Sequence, residues 1–305
     1  MTLEQLRIFV AVAERQHVTR AAHALNLTQS AVSSAVTALE ARHGVALFDR
    51  VGRSIVLNPA GAVFLDEARA VLARAAAAEA ALADLGDLSR GRLSIHASQT
   101  IASYWLPARL AAFHKAYPGI ALQVAIGNTS DVTRAVAEGD AELGLVEGEV
   151  DDPALERVVM DHDPLCLVVG RDHPWAGLTA EPKDLAASEW VVREAGSGTR
   201  AALEGALRTR GLALDGLPLA MVLPGNEAVR SAVRAGAGAT LISRSVVTVG
   251  LELGSLVEVP FAVAPRAFWR LRHRQRYRSR AGEAFLQVAA GLQGPDRSAI
   301  SNVFS

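Results

Sequence analysis

Apolar residues at helical spacing open the chain. Leu6, Phe9, Val10 and Ala13 share one face over residues 3–14, and Ala21, Ala22 and Leu25 continue the pattern on a second short segment. Thr19 is the expected N-cap of that second helix, and Asn26 to Thr28 form a short turn. Thr28 is the expected cap of a third helix running from Gln29 to about Arg42, which Gly44 ends. Two helices joined by a three-residue turn make a helix-turn-helix. The stretch ALFDRVGRSIVLNPAG alternates short apolar pieces around Gly52 and predicts a small hairpin, a wing, closed by Pro59 and Gly61.

An alanine-rich helix is expected from about Pro59 to Asp87. Phe64, Ala68, Val71, Ala75, Ala78, Leu82 and Leu85 step alternately by four and three, a heptad seam. Such a helix is roughly 40 Å long at 1.5 Å per residue, so the seam is read as a self-association surface through Phe64, Val71, Leu82 and Leu85. The plainer reading is one amphipathic helix packed on its own domain.

After GRLS the texture changes. LSIHAS, ALQVAIG, LGLVEG, LCLVVG, WVVREA and LAMVL read as buried strands, separated by helical stretches at 101–117, 129–138, 199–210 and 226–236. That alternation predicts parallel α/β sheets, and the length after Gly91 fits two lobes. Ligands of such sheets bind beyond the carboxyl ends of the strands.

With 305 residues and half of them hydrophobic, the chain has material for two or three domains with real cores. The N-terminal stretch MTLEQLRIFVAVAERQH does not read as a signal peptide, and the apolar run over 69–85 is broken by Arg74, Glu79 and Asp84, so a cytoplasmic protein with no membrane partner is expected. Cys166, the one cysteine, sits in LCLVVG and reads as core. The formal net charge of −1 is uneven. Residues 138–163 carry ten acids against Arg157, whereas Arg266, Arg270, Arg272, Arg274, Arg276, Arg278 and Arg280 have no nearby acid. A solvated acidic face and an arginine-rich strand edge is one reading of this, and a contact between lobes of two subunits is the other.

The third helix carries Gln29, Ser30, Ser33 and Ser34 opposite Val32, Val36 and Leu39. Short polar side chains on the first turns let a helix backbone approach base edges in a major groove, where glutamine pairs with adenine and serine serves several bases. Thr28 and the helix start suit phosphates, and Arg50 and Arg53 flank the wing turn, placed to neutralise backbone or enter the minor groove. Over TRAAHALNLTQSAVSSAVTALEARHGVALFDR the chain resembles the LysR-type transcriptional regulators, in the Ala21-Ala22 pair, the Thr-Gln-Ser-Ala-Val-Ser core, Leu39-Glu40, Gly44, and Leu47-Phe48 followed by Arg50. At Gln16-His17-Val18 it departs from the Gly-Ser-Phe-like triplet more usual there. The resemblance implies a winged helix-turn-helix over 1–60, a linker and dimerisation helix over 61–90, and a two-lobed, Rossmann-like effector domain of periplasmic-binding-protein type over 91–305. It implies promoter DNA, a second copy of the chain as dimer or tetramer, and RNA polymerase, if the regulator activates, as partners; it implies no metal or other cofactor.

Four strand-to-helix junctions present hydroxyls or amides: Ser98-Gln99-Thr100, Asn128-Thr129-Ser130, Ser197-Gly198-Thr199 and Gly225-Asn226. Singly each reads as an ordinary N-cap, but together they suit a polar anion. REAGSGTR and GNTSDVTRAVAEGDAELGLVEG resemble the subgroup regulating sulfur assimilation and carbon-dioxide fixation. By that resemblance Ser98, Thr100, Asn128, Ser197 and Thr199 hold a small oxyanion or carboxylate. Glu147 and Glu194 oppose an anion unless protonated or paired with Arg193 or Arg200. A regulator of aromatic catabolism and a two-lobed α/β enzyme are the alternatives, the second with no phosphate-binding glycine motif, Gly-x-Ser-x-Gly or His-Glu-x-x-His in its favour.

Overall fold

A computed structural model describes residues 1–51, 54–84 and 91–292. Arg53 and Leu85 lie outside the described residues, and of Arg50 only the backbone is described. The chain divides into two compact units, Met1–Leu85 with Glu138–Asp140, and the remainder from Gly86 onward.

The first unit holds α1 (Leu3–Arg15), α2 (Val18–Leu25), α3 (Gln29–His43), the hairpin β1 (Phe48–Val51) and β2 (Ser54–Leu57), and α4 (Pro59–Asp84). Thr2 starts α1 with a capping box. His17, not Thr19, caps α2, its ring nitrogen accepting from the Arg20 N–H; an imidazole at this position does what the expected hydroxyl would have done two residues later. Asn26 ends α2 in the left-handed region at φ 54°, the conformation that turns the chain into α3. Leu6, Phe9, Val12, Ala21, Val32, Val36 and Leu39 close one core, in which the Phe9 ring lies 5.4 Å from Phe48 and 4.9 Å from Phe64. The Glu40 carboxylate accepts from the Leu47 and Phe48 N–H groups at 2.7 and 3.3 Å, tying the hairpin to α3.

The heptad seam is divided. Phe64 is packed on the Phe9 cluster and Ala68 is fully buried with it, so this end of α4 serves its own unit, as the plainer reading had it. Further along, Val71 and Leu82 are exposed.

Two five-stranded sheets make the second unit. The first has the order β4 (Ile120–Gly127), β3 (Gly91–Ser98), β5 (Leu143–Val146), β12 (Arg266–His273), β6 (Leu155–Asp163). The second runs β11 (Leu256–Val259), β7 (Leu165–Gly170), β10 (Ala239–Ser243), β8 (Trp190–Arg193), β9 (Leu219–Leu223). Helices α5 (Leu106–Ala116), α6 (Thr129–Glu138) and α10 (Arg280–Gly291) belong with the first, and α7 (Gly198–Arg208), α8 (Asn226–Arg234) and α9 (Arg244–Glu252) with the second. The expected strands are present, but the sheets are mixed: β12 is antiparallel to β5 and β6, and β7 is antiparallel to β10 and β11. Chain connectivity explains it, because the path leaves the first lobe after β6 and returns to it as β12. Cys166 is core, its thiol pushed up to about 12 chiefly by burial.

The arginine-rich strand is not a sheet edge, and several of its charges are met by acids of the same lobe. β12 is an interior strand lying beside the acidic β6, and Arg270 reaches Glu156 at 3.2 Å while Arg272 reaches Glu142 at 3.4 Å and also Glu283. Within the lobe, one run neutralises the other.

A Cβ on Gly61 would meet the Leu47 carbonyl oxygen at 2.1 Å and Leu57 at 2.7 Å, so α4 can start against the wing only with glycine there. Gly61→Ala is expected to lower the stability of the first unit by about 2 kcal/mol, seen as an earlier helix-melting transition by circular dichroism. An unchanged transition would mean that the wing yields freely.

Candidate functional site

In the first unit the surface expected to meet DNA is open. Thr28 caps α3, its hydroxyl accepting from the Ala31 N–H at 3.2 Å and lying 3.1 Å from the Ser30 hydroxyl. Gln29, Ser30, Ser33 and Ser34 are all exposed, while Val32, Val36 and Leu39 hold the opposite face in the core. No acid stands in the first turn of α3, so its amide end is unopposed by negative charge. The hairpin strands pair from Phe48↔Leu57 to Val51↔Ser54.

In the second unit the five expected residues lie at the carboxyl ends of β3, β4 and β8, and what joins two of them, Thr100 and Thr199, is a residue the motif reading did not select. Arg266, the first residue of β12, is buried between the lobes. Its Nε and Nη2 both lie 2.8 Å from Asp163, its Nη1 donates to the Thr199 hydroxyl at 3.2 Å, and its Nη2 donates to the Thr100 hydroxyl at 3.2 Å. Asp163 also accepts from the Ser243 hydroxyl at 2.6 Å. Burial pushes the Asp163 carboxyl up, against the pull of Arg266 and Ser243.

The other partners follow. Thr100 also accepts from the Asn226 amide at 2.9 Å, and Asn226 in turn receives a hydrogen bond from Arg193. Arg193 forks onto Glu194 through Nε at 2.7 Å and Nη2 at 2.8 Å. Burial pushes the Glu194 carboxyl up, but these bonds outweigh it and hold the group below the ordinary range. Of the two arginines expected as partners for Glu194, Arg193 is the one, since Arg200 pairs with Glu204 at 2.8 Å. Asn128 spends its carbonyl on the Asp131 N–H at 3.0 Å and Ser197 its oxygen on the Thr199 N–H at 3.2 Å, so both are N-caps. Thr100 and Thr199 accept but still own a proton each to donate. Ser98 and Thr129 are buried, and their hydroxyls have no hydrogen-bond partner among the described residues.

A cavity of about 660 Å³ opens beside this cluster, walled by Thr129, Ser130, Glu147, Ser197, the α7 face from Gly198 to Arg210, and Ala262 to Arg266. Of the five expected residues only Ser197 lines it; Arg266 connects it to Thr100 and Thr199. Arg266 had a signal in the sequence, an uncompensated basic strand and an acidic run elsewhere in the chain. Nothing local marked Arg266 as the one between the lobes.

A capped helix with its hydroxyl face open beside a hairpin, on a chain that continues into two α/β lobes around a polar cleft, defines a DNA-binding transcriptional regulator with an effector-binding domain. The chain belongs to the LysR family: residues 3–62 match the bacterial regulatory helix-turn-helix protein, lysR family, and residues 86–293 match the LysR substrate binding domain. It is 36% identical over 288 residues to the uncharacterized HTH-type transcriptional regulator YeiE of Escherichia coli K12, covering 94% of this chain and 96% of that one. It is 34% identical over 288 residues to the RuBisCO operon transcriptional regulator of Allochromatium vinosum, covering 93% and 94%. These relatives are transcriptional regulators, and the second carries the carbon-dioxide-fixation link expected from REAGSGTR and its companion segment. The full-length CbnR structure in complex with its target DNA shares the fold at a TM-score of 0.68 and 23% identity, over 95% of this chain and 99% of that one. Among the described residues no helix is long and apolar enough to cross a membrane.

Removing one member of a buried ion pair strands the other without solvent. Asp163→Asn is therefore expected to cost roughly 3 kcal/mol or more, whereas Glu258→Gln, in an exposed pair with Arg244, is expected to cost under about 1 kcal/mol. All four tryptophans (Trp105, Trp175, Trp190 and Trp269) lie in this unit, so urea denaturation followed by their fluorescence measures both. Equal losses would show that Asp163 does not carry the Arg266 charge.

Proposed function

We propose that this regulator reads promoter DNA through Gln29, Ser30, Ser33 and Ser34, holds phosphates through Thr28, Arg50 and Arg53, and answers to a small oxyanion or carboxylate bound in the cleft. Ser98, Thr100, Asn128, Ser197 and Thr199 form the effector set, with Arg266, paired to Asp163, bridging Thr100 and Thr199. The observation that carries the effector reading is the shared Arg266 guanidinium, which brings the Thr100 and Thr199 hydroxyls together. Hydroxyls and helix-start amides satisfy several anion oxygens at once. As in the transcriptional regulators that this chain matches, we read the ligand as acting by binding and not by being turned over. We assign 1–60 to DNA binding, 61–90 to self-association through the exposed Val71 and Leu82, and the rest to the effector; the protein works in the cytoplasm, with RNA polymerase as a partner where it activates. A ligand shifts such a regulator only through unequal affinity for its conformations.

The effector reading is tested by titrating sulfate, phosphate, nitrate and small carboxylates calorimetrically into wild type, Thr100→Val and Thr199→Val. A lost hydrogen bond to an anion weakens binding by roughly 1.5 to 3 kcal/mol. Equal affinity in all three proteins, or an aromatic ligand displacing every anion, would move the assignment to an aromatic-catabolism regulator. For DNA, Arg53→Ala is expected to weaken all sites and lower the salt slope by about one, while Ser33→Ala costs about 1 to 3 kcal/mol at its own base pair alone. The reverse pattern would exchange the two roles. Val71→Glu places a charge in the proposed seam and is expected to shift light-scattering mass toward the monomer; an unchanged mass removes α4 from the interface.

A further inference from the structure

Glu147 is the one carboxylate of the cleft cluster that the arginines leave without a hydrogen bond. It follows β5 at the carboxyl end of the strand and is buried, 6% exposed. Asp163 holds Arg266 at 2.8 Å and Glu194 holds Arg193 at 2.7 Å, so each arginine is already neutralised by a nearer acid. The Glu147 Oε1 stands 3.6 Å from Arg266, beyond hydrogen-bond range, and its Oε2 has no partner among the described residues. The side chain walls the 660 Å³ cavity next to Thr129, whose hydroxyl is likewise unpartnered. The position is also fixed by backbone: a Cβ on Gly198 would lie 2.8 Å from the Gly148 nitrogen and 3.1 Å from the Glu147 carbonyl carbon, so the start of α7 rests directly on this segment.

A carboxylate accepts and does not donate. An anion made only of acceptor oxygens, brought against Glu147, sets lone pair against lone pair with no proton between them. Resting on the oxyanion reading above, we propose that the effector carries its own hydroxyl donor and gives that proton's hydrogen bond to Glu147, while the hydroxyls of Thr129 and Ser197, which wall the same cavity, donate to its other oxygens. The class this selects is the hydrogen oxyanions and the hydroxycarboxylates. Fully deprotonated oxyanions and plain carboxylates are disfavoured.

Matched pairs test it on the full chain at pH 7 by calorimetry. Sulfate and hydrogen phosphate are both tetrahedral, but only the second bears a hydroxyl; acetate and glycolate repeat the comparison for carboxylates, and the favoured pair tells which source of the donor the site takes. Wild type is expected to prefer the hydroxyl-bearing member of at least one pair by about tenfold or more. Glu147→Gln, whose amide donates as well as accepts, is expected to bring that pair within about threefold, chiefly by gaining affinity for sulfate or acetate. The wild-type ratios stand without the variant, so a Glu147→Gln protein that fails to fold does not remove the test. Sulfate and acetate binding wild type at least as tightly as their partners would overturn the inference; if that binding is weakened by Thr100→Val, the oxyanion reading itself survives. A preference that persists unchanged in a folded Glu147→Gln protein would also overturn it. Binding of none of the four anions would overturn both.

Discussion

A guanidinium taken out of water must recover its hydration from the protein, and around Arg266 that requirement organises the second unit. Asp163 supplies the charge, Thr100 and Thr199 supply acceptors, and these three come from the ends of β6, the turn after β3 and the first turn of α7. Elements far apart in sequence are thereby committed to one point. The commitment has a cost in free energy, since a buried pair seldom outperforms apolar packing of the same volume. Its return is specificity of arrangement: hydroxyls that would otherwise be plain N-caps are drawn to one point and remain able to donate.

Much of the first unit was legible from side-chain spacing alone. The third helix, its Thr28 cap and its Gly44 terminus follow from local rules, because a cap and the helix it starts are neighbours in sequence. The second-helix cap was misplaced by two residues because a histidine took the part expected of a threonine. The heptad steps of α4 were real, but spacing cannot say which neighbour covers a face. Phe64 and Ala68 turned inward, toward Phe9, while Val71 and Leu82 kept the same periodicity and face out.

In the effector unit, strands of continuous apolar residues were visible and strands of alternating charge were not. β6 and β12 read as LERVVMDHD and RAFWRLRH, which look like solvated edges until they are laid side by side. Pairing of that kind is a long-range fact. The same limit applied to the cleft: Ser98, Thr100, Asn128, Ser197, Thr199 and Asn226 were marked by their position after strands, but Arg266, which connects Thr100 to Thr199, is an ordinary residue in sequence and becomes special only through what it touches.

The chain passes between the two lobes after Asp163 and again before Arg266, and these two residues face each other in the β6–β12 register. Two bodies joined by a pair of adjacent crossings keep one soft motion, a swing about the line through the crossings. Atoms on that line hardly move during such a swing, whereas distant ones sweep the largest arcs. The Asp163–Arg266 pair is on the pivot. The Thr100–Asn226 hydrogen bond bridges the lobes directly beside Arg266, and the one from Tyr104 to Glu227 is a further bridge. A swing of that kind would leave the Asp163–Arg266 pair nearly in place, while the contacts farthest from it changed most.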